Sequence, residues 1–376
     1  MTRIAVLAYY EVNTFPALHF LAKGLAERGG EVLLGGPVPP NALLDERISL
    51  ASLATSGRFK GLPNTIEWHI RAFRTLSKFR PDWIVADQEL AFPALLYKGA
   101  HPLRRVKVVS YSTDYYLNRQ MKVVGAMASG IDAIVSDCSL RLEWRQRDWR
   151  RSKAEGFVIR PAPLKDSAVT AHADAIPVEM EAAGPRIVFS SSYYALLAMD
   201  RTRLGRFFAR LCEQGINIDW YFFGQAGVRE QARALLSHPR YRVFAQLPKA
   251  ELLGRLPSYD VGLHWAPMAE AENASPFWQR YFLSAASNKV GEYIAAGLAV
   301  AYAGNPGLRY LPESLSVAFD PTDPEQGADQ LAARLHDADW LKGARAAALR
   351  YHRDEMNAEA QTAPLIRQIL GEPAAD

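Results

Sequence analysis

The sequence predicts an α/β protein that contains two parallel sheets. Apolar runs of strand length alternate with helical patterns from one end of the chain to the other, which is typical of βαβ units. The chain has 376 residues, too many for one ordinary core and enough for two such domains. The series of strands starts again after a stretch without sustained periodicity, so we expect two separate sheets.

Six strands are predicted in the first half of the chain, each short, apolar and bounded by turn residues or helical patterns. They cover residues 3–9, 31–35, 82–86, 106–110, 132–136 and 156–160. Helices fill the intervals, for example over residues 15–28 and 66–79. These elements predict a first domain over residues 1–165.

A linker is predicted over residues 166–184, where the sequence is polar and rich in alanine and turn formers. Six further strands predict a second domain over residues 185–343. They cover residues 186–190, 218–223, 241–245, 259–264, 298–302 and 315–319. The last segment, 344–376, is predicted to contain a long helix over 344–370. We expect this helix to break or kink near Pro364, because proline removes a backbone donor.

The composition excludes several classes of protein. Apolar residues make up 49% and charged residues 22%, which is typical of a soluble globular chain. No window approaches the ~20 uninterrupted apolar residues of a membrane-spanning helix, and the first residues lack the pattern of a signal peptide. The expected location is therefore the cytoplasm. The net charge of +4 is mild and no nucleic-acid-binding motif occurs, so no nucleic-acid partner is predicted.

The cysteines and histidines predict neither a structural disulfide nor a metal site. Cys138 and Cys212 are the two cysteines and lie far apart, so we expect free thiols. The eight histidines form no His-x-x-x-His pair, and no Cys-x-x-Cys pair occurs. We therefore expect no metal and no cofactor.

The most informative segment runs from Ser287 to Gly304 and predicts a short helix that leads into a buried strand. Apolar residues recur at helical spacing from Val290, and Gly297 is placed to end the helix. The start of a helix offers unpaired backbone N–H groups and a positive dipole end, which suit a phosphate. Lys289 lies beside that start and Glu292 one turn further. This arrangement suits a diphosphate held by a cation and a ribose held by a carboxylate.

The segment resembles the donor-site signature of the retaining glycosyltransferase family four, whose members have the GT-B fold. Lys289, Glu292, Tyr293, Ala295 and Gly297 match the Lys-x-x-Glu-Tyr-x-Ala-x-Gly-like helix that lies against a nucleotide sugar in that family. The resemblance implies two Rossmann-like domains facing across a cleft. It places the acceptor on the first domain and the nucleotide-sugar donor on the second, and it implies that the C-terminal helix crosses back to the first.

The resemblance implies further donor contacts in the loops after the strands of the second domain, where doubly wound sheets bind ligands. Serines occupy the loop where the family commonly has Gly-Arg, and Arg201 in the next helix could reach a phosphate, although a solvated helix face also accounts for it. Gly224 and Gln225 resemble the Gly-x-Gly turn of the family. The predicted nucleotide-binding residues are Ser191, Ser192, Arg201, Gly224, Gln225, Leu247, His264, Asn288, Lys289 and Glu292.

Two candidates for a catalytic role follow strands of the first domain. Asp114 lies in segment 111–116, which occupies the place of a Thr-His-Asp-like segment of the family but lacks the histidine. It could contact a sugar hydroxyl, or act as a base in an inverting enzyme. Glu11 follows the first predicted strand. For both residues, capping of the next helix is the alternative interpretation.

A third catalytic candidate, Glu272, lies in a long loop of the second domain. Retaining members of the family carry a first glutamate eight positions before the second, and the position eight before Glu292 is Ser284. Glu272 could replace the missing glutamate through a loop insertion. This departure leaves both a retaining and an inverting outcome open.

The resemblance predicts an enzyme, a hexosyltransferase-like glycosyltransferase. It would move a sugar from a nucleotide-sugar donor to a glycan or lipid-linked acceptor in surface polysaccharide or glycoconjugate synthesis. Two alternatives stay open. One is a GT-B sugar-nucleotide epimerase, and the other is a degenerate glycosyltransferase-like subunit that binds without turnover.

A basic segment over residues 141–153 interleaves arginine with tryptophan. Such a helix can lie at an anionic membrane surface, which would suit a lipid-linked acceptor and a peripheral position at the inner face of the membrane. The alternative is an exposed helix whose tryptophans pack inward.

Overall fold

The structure is a computed structural model that describes residues 1–8, 16–36, 46–54, 62–112, 119–150, 152–166, 183–191, 194–223, 226–266, 284 and 287–373. The chain divides into two compact units. The first consists of Met1–Pro161 with Ala358–Asp376, and the second of Ala162–Asn357. Each unit has its own parallel sheet with helices between the strands, which confirms the predicted α/β class.

The sheet of the first unit has seven parallel strands in the order β3-β2-β1-β4-β5-β6-β7. The strands are β1 (Arg3–Leu7), β2 (Glu31–Gly36), β3 (Ile48–Ser52), β4 (Trp83–Asp87), β5 (Lys107–Ser112), β6 (Ala133–Ser136) and β7 (Glu155–Val158). The strand order reverses between β1 and β4, so a switch point lies at the carboxyl ends of these two strands.

The prediction of six strands in this unit missed β3. Among the described strands, it forms one edge of the sheet and pairs with β2 alone. Ile48 is buried, whereas Leu50 is 47% exposed, so the strand lacks the apolar run that marks a central parallel strand. In the described part of this unit, the helices between these strands are α1 (Pro16–Glu27), α2 (Leu62–Phe79), α3 (Ala91–Ala100), α4 (Arg119–Ala126) and α5 (Ser139–Asp148).

The sheet of the second unit has six parallel strands in the order β10-β9-β8-β11-β12-β13. The strands are β8 (Arg186–Ser191), β9 (Asn217–Phe222), β10 (Tyr241–Ala245), β11 (Val261–His264), β12 (Ala299–Ala303) and β13 (Ser316–Phe319). All six were predicted. The helices are α6 (Tyr194–Glu213), α7 (Ala226–Arg233), α8 (Lys249–Arg255), α9 (Asn288–Ala295), α10 (Pro324–His336) and α11 (Ala338–Asp354). The switch point of this sheet lies between β8 and β11.

The prediction of one helix over 344–370 that breaks near Pro364 was wrong. Helix α11 ends at Asp354, and a new helix, α12 (Ala358–Leu370), contains Pro364 in its interior. The break lies at Asn357, whose Nδ2 atom donates to the carbonyl oxygens of His352 and Arg353, both at 2.9 Å. These bonds satisfy carbonyl groups at the end of α11, where the intrahelical partners run out.

Helix α12 belongs to the first unit because it packs against α1. Leu365, Ile366 and Ile369 are buried in the same cluster as Leu21 and Leu25. The contact is close, since a Cβ atom on Gly24 would lie 2.7 Å from the Cδ1 atom of Ile366. Burial of these side chains is the dominant force that holds the last helix on its unit.

Two smaller observations concern thiols and membranes. Cys138 and Cys212 are both buried and lie in different units, and neither forms a disulfide, as predicted. Among the described residues, no helix combines the length and the apolar character needed to cross a membrane.

The ring of Tyr293 leaves no space for a side chain at position 262 in β11, so only glycine fits there. We predict that Gly262→Ala lowers the free energy of unfolding by about 2–3 kcal/mol through overpacking. A Cβ atom at this position would lie 2.1 Å from both Cγ and Cδ2 of Tyr293. Urea unfolding at neutral pH measures the effect.

The matched control is Gly343→Ala in α11, where no atom lies within 4 Å of the added methyl group. Alanine has the higher helix propensity, so this variant should gain about 0.5–1 kcal/mol. Equal stabilities of the two variants would contradict the packing assigned to Gly262.

Candidate functional site

The candidate site lies at the switch point of the second unit, where β8 ends at Ser191 and β11 ends at His264. Ligands of open α/β sheets bind outside the carboxyl ends of the strands at such a point. Helix α9 runs from this edge of the sheet back to the start of β12, so its first residues lie at the same edge. The segment that the sequence singled out is therefore at the position where a ligand is expected.

Tyr293 fixes α9 to both central strands. It is 1% exposed, and its hydroxyl accepts a hydrogen bond of 3.1 Å from the backbone N–H of Ser190 in β8. Its ring covers Gly262 of β11. The helix ends at Gly297, whose φ of 73° favours glycine, and the Leu298 N–H donates to the Tyr293 carbonyl at 2.9 Å. The start of α9 is thus held in one place by packing.

Lys289 lies in the first turn of α9 and is half-buried. Burial lowers the pKa of its ammonium group to about 8, and the nearby carboxylate of Glu292 opposes part of that shift. The cation adds to the positive end of the helix dipole. Partial burial of this ammonium group costs desolvation free energy, and an anionic ligand at this position would offset that cost.

His264, the last residue of β11, lies close enough to Lys289 for their charges to interact. Burial, and next the charge of Lys289, lower the pKa of the His264 imidazole to about 3, so the ring is neutral at physiological pH. Its Nδ1 atom is buried and has no hydrogen-bond partner among the residues that the structure describes. A buried polar atom without a partner costs free energy, which marks a place where a ligand atom can bind.

Glu292 forms an ion pair that the sequence did not reveal. Its Oε1 atom lies 3.0 Å from Nζ of Lys249, the first residue of α8. The Glu292 side chain is 16% exposed and the Lys249 side chain 54% exposed. No spacing rule connects two residues so far apart in sequence, so only the fold brings them together.

The other predicted nucleotide-binding residues have different surroundings. Ser191 is 2% exposed at the end of β8, Asn288 is half-buried at the first position of α9, and Leu247 is half-buried against the core. Arg201 is exposed on α6. Ser192, Gly224 and Gln225 lie outside the described residues.

The helix-face interpretation of the α6 arginines gains support from their neighbours. Arg206 lies 2.8 Å from Glu325 and Arg210 lies 2.7 Å from Asp329, both in α10. These pairs join two exposed helix faces. A phosphate contact by Arg201 stays a prediction.

The catalytic candidates Glu11, Asp114 and Glu272 lie outside the described residues, so their roles stay predictions. Ser284, which stands in place of the family's first glutamate, is fully buried. A serine there offers a hydroxyl but no charge.

The first unit contains a polar cluster that sequence reasoning missed. It comprises Asp87 at the end of β4, Tyr111 near the end of β5, and Asp137 and Arg141 after β6, each no more than 3% exposed. Arg141 forms an ion pair with Asp137. Burial raises the pKa of Tyr111, and the charges of Asp87 and Asp137 raise it further. The Tyr111 hydroxyl has no hydrogen-bond partner among the described residues.

The position of this cluster could have been inferred from the sequence. Asp87 and Asp137 each lie at the carboxyl end of a strand, and Asp87 lies at the switch point of the first sheet. The signal that would have found them is an acidic residue directly at the end of an apolar run. The structure adds Arg141, because it shows that this residue is buried.

The basic segment 141–153 is only partly on the surface. Arg141 and Arg145 are 2% and 3% exposed, and Trp149 is 7% exposed. The Nη2 atom of Arg145 donates to Ser112 Oγ at 3.0 Å, and its guanidinium lies 5.0 Å from the ring of Trp149. These side chains support the inward-packed alternative. A membrane contact of this segment stays a prediction that would depend on its exposed residues.

Among the described residues, no group of three or more His, Cys, Asp or Glu side chains is arranged to hold a metal ion. The expectation that no metal takes part stays a prediction.

Burial of Lys289 should make its replacement stabilising. Its pKa in the folded protein lies below the usual value of 10.5, so the cost of burying the charge is fully present below pH 8 and is lost as the pH rises toward 10. We predict that Lys289→Gln raises the free energy of unfolding by about 1–2 kcal/mol at pH 7. The gain is limited because the half-buried amine of Lys289 keeps part of its hydration.

Urea unfolding of both proteins at pH 7 and pH 10 tests this prediction. The difference in free energy of unfolding between Lys289→Gln and the wild type should be much smaller at pH 10 than at pH 7. Lys342→Gln, at an exposed position of α11, is the control and should change little at either pH. A gain that does not depend on pH would contradict burial of the charge as its cause.

No protein-family model and no curated protein matches the sequence. Solved structures match the fold over nearly the whole chain. A glycosyltransferase from Rickettsia africae ESF-5 is 12% identical, with 99% of each chain covered and a TM-score of 0.68. HepE from Anabaena in complex with UDP is 11% identical, with 99% of this chain and 100% of that chain covered and a TM-score of 0.67.

A sucrose-phosphate synthase from Thermosynechococcus elongatus is 13% identical, with 99% of this chain and 100% of that chain covered and a TM-score of 0.66. The chain therefore has the two-domain α/β fold of these proteins, GT-B, as predicted. At these identities the similarity shows the fold alone. Membership of glycosyltransferase family four stays a prediction.

Proposed function

We propose that the chain is a glycosyltransferase that takes a sugar, a hexose in the first instance, from a nucleotide-sugar donor bound at the start of α9. The observation that carries this proposal is the pair formed by Lys289 and His264 at the switch point. A partly desolvated cation at a helix start lies beside a buried imidazole nitrogen that has no hydrogen-bond partner in the part of the chain that the structure describes. Both features suit phosphate oxygens, which accept hydrogen bonds and carry negative charge.

The rest of a nucleotide sugar fits the same elements. Glu292 lies one turn into α9, where its carboxylate can accept hydrogen bonds from ribose hydroxyls. The solved structures of HepE with UDP and with UDP-glucose make a uridine nucleotide the first ligand to test.

The chemistry proposed for these residues is stabilisation of the leaving group. When the glycosidic bond to the donor breaks, negative charge grows on the diphosphate. Lys289 and the N–H groups at the start of α9 are already oriented to neutralise it. We propose that this protein charge is sufficient and that no metal ion is needed. Because Ser284 supplies no carboxylate, the proposal covers transfer and not the configuration of the product.

The acceptor is proposed to bind at the carboxyl edge of the first sheet, near Asp87, Tyr111 and Asp137. Carboxylates accept hydrogen bonds from sugar hydroxyls, and the Tyr111 hydroxyl can donate or accept one. Among glycan and lipid-linked acceptors, this chemistry favours one that presents sugar hydroxyls at the reacting end, because carboxylates and a phenol hydroxyl form hydrogen bonds with hydroxyl groups. Asp114, Glu11 and Glu272 remain proposed contributors to catalysis.

A second candidate function is favoured by Ser284. A chain that has lost the first glutamate of the pair could bind a nucleotide sugar without turnover. An assay with UDP-glucose as donor and a panel of methyl glycosides as acceptors separates the two. Product formation supports the enzyme, whereas tight donor binding with neither transfer nor hydrolysis supports the binding subunit.

We predict that a nucleoside diphosphate binds and that Lys289→Gln weakens the binding about tenfold or more, because a charge-assisted hydrogen bond is lost. Isothermal titration with UDP, ADP and GDP at pH 7 measures the affinities. The wild-type affinity should fall as the pH rises above 8 and Lys289 loses its proton, and the variant should not show this fall.

The control is Lys342→Gln, which removes a positive charge from the same unit and should keep the wild-type affinity. If none of the three nucleotides binds, and none raises the thermal midpoint of the wild type, the proposed donor site is refuted.

Tyr111→Phe should lower the rate of transfer about 10-fold to 100-fold and leave the affinity for the nucleotide unchanged, since it removes one hydrogen-bonding hydroxyl on the acceptor side. Initial rates with UDP-glucose and methyl glycosides, beside UDP titrations, give both values. Tyr97→Phe is the matched control, because Tyr97 is also buried in the first unit but accepts a hydrogen bond from Arg104.

The acceptor assignment is contradicted if Tyr111→Phe transfers sugar at the wild-type rate. A thermal unfolding curve for each variant excludes misfolding as the cause of a lower rate.

A further inference from the structure

Lys249 stands in an unfavourable position for a lysine. It is the first residue of α8, where the positive end of the helix dipole repels a cation. Pro248 precedes it, and no side chain caps this helix start. More than half of the Lys249 side chain is exposed, so water alone could solvate its charge. The side chain is nevertheless ordered against Glu292 at 3.0 Å, and a residue that breaks a local rule in this way often has a functional reason.

The backbone that carries Lys249 is held at its far end by a chain of polar contacts. Arg255, in the last turn of α8, donates to Glu251 at 2.7 Å and to the hydroxyl of Tyr221. The Tyr221 and Tyr259 hydroxyls lie 2.9 Å apart. Helix α8 is therefore fixed to the sheet.

This chain of contacts ends in a buried ion pair. Tyr259 donates to Asp219 at 2.7 Å, and the guanidinium of Arg242 donates two hydrogen bonds of 2.8 Å to the same carboxylate. Asp219 is 1% exposed, so these bonds form away from water. Because α8 is fixed, the backbone of Lys249 has a defined position relative to α9, within reach of its ammonium group.

The contact leaves Glu292 with one oxygen occupied and one available. Lys249 approaches Oε1, and Oε2 makes no hydrogen bond among the described residues. The side chain of a glutamate has three rotatable bonds, and fixing them in advance reduces the entropy lost when a ligand binds. Oε2 can therefore accept hydrogen bonds from hydroxyl groups of a ligand.

We propose that Lys249 is a positioning residue that holds Glu292 in the orientation needed to accept hydrogen bonds from the ribose of a nucleotide. The inference rests on the proposed function and adds to it. Lys249 contributes to the affinity for the nucleoside portion of the ligand. Lys289 and the start of α9 determine the affinity for the diphosphate portion.

The competing explanation is that Lys249 only adds positive charge that attracts any anion. The two explanations differ in their effect on pyrophosphate, which has no ribose. A charge effect weakens pyrophosphate and nucleotide binding alike, whereas a positioning effect weakens only the nucleotide.

The test measures the affinities of the full chain for pyrophosphate and for the tightest binder among UDP, ADP and GDP, by isothermal titration at physiological ionic strength. Lys249→Met should weaken the nucleotide about fivefold and change pyrophosphate by less than twofold. Lys249→Arg, which can hold the same carboxylate, should restore the nucleotide affinity to within twofold. Lys342→Met is the charge control and should change neither affinity.

A double-mutant cycle with Glu292→Gln completes the experiment. In that background Lys249→Met should change the nucleotide affinity by less than twofold, because its effect acts through the carboxylate. An unchanged nucleotide affinity in Lys249→Met alone, or equal losses for nucleotide and pyrophosphate, would overturn the inference while the donor site stands. If the wild type binds neither ligand, the proposed function fails and this inference with it.

Discussion

The contact of Tyr293 with two strands is the constraint on which the candidate site depends. Its ring covers Gly262 and its hydroxyl receives the N–H of Ser190, so one buried side chain joins α9 to both strands of the switch point. Lys289 and Glu292 precede it in the same helix. Their distance from His264 and from the end of β8 is therefore set by packing in the core, not by the polar groups themselves. A ligand of the proposed donor site would therefore find these side chains already in place, which lowers the cost of binding.

This arrangement places a costly cation on a rigid element. The core under α9 consists of large buried side chains, among them Tyr259, Tyr293 and Ile294, which pack closely and cover the inner side of the helix. The cost is visible in the lowered pKa values of both Lys289 and His264. Functional sites commonly lose stability where they hold groups in unusual protonation states. The close packing of α9 therefore holds the Lys289 cation in the position that lowers its pKa.

Much of the fold could be predicted because its strands are buried on both faces. Strands such as β1 and β12 are continuous apolar runs, and Gly297 marks the end of α9. The edge strand β3 could not be found in this way, because three of its five residues are exposed. The predicted break near Pro364 was wrong because α11 ends earlier, where the Asn357 side chain donates to its last carbonyl groups.

The site was predictable where a residue belongs to a local pattern, and pairs between distant elements were not. Lys289 and Glu292 share one helical turn, and His264 ends a clear strand. The partner of Glu292, Lys249, comes from another helix, and no local pattern reports such a pair. Asp87, Tyr111 and Asp137 come from three strand ends, so their proximity is a product of the sheet order. Sequence patterns describe elements, and a site is made by their arrangement.

The polar groups at the two switch points differ in a way that agrees with the proposed chemistry. Glycosyl transfer builds negative charge on the departing diphosphate and removes a proton from the acceptor hydroxyl. The second unit places a cation and a helix start where the diphosphate is proposed to lie, and the first unit places two carboxylates near a tyrosine hydroxyl, one of them paired with Arg141. A cation stabilises the leaving group, and a carboxylate within hydrogen-bond reach can accept the proton of the acceptor hydroxyl. The groups at each switch point therefore suit one half of the proposed reaction.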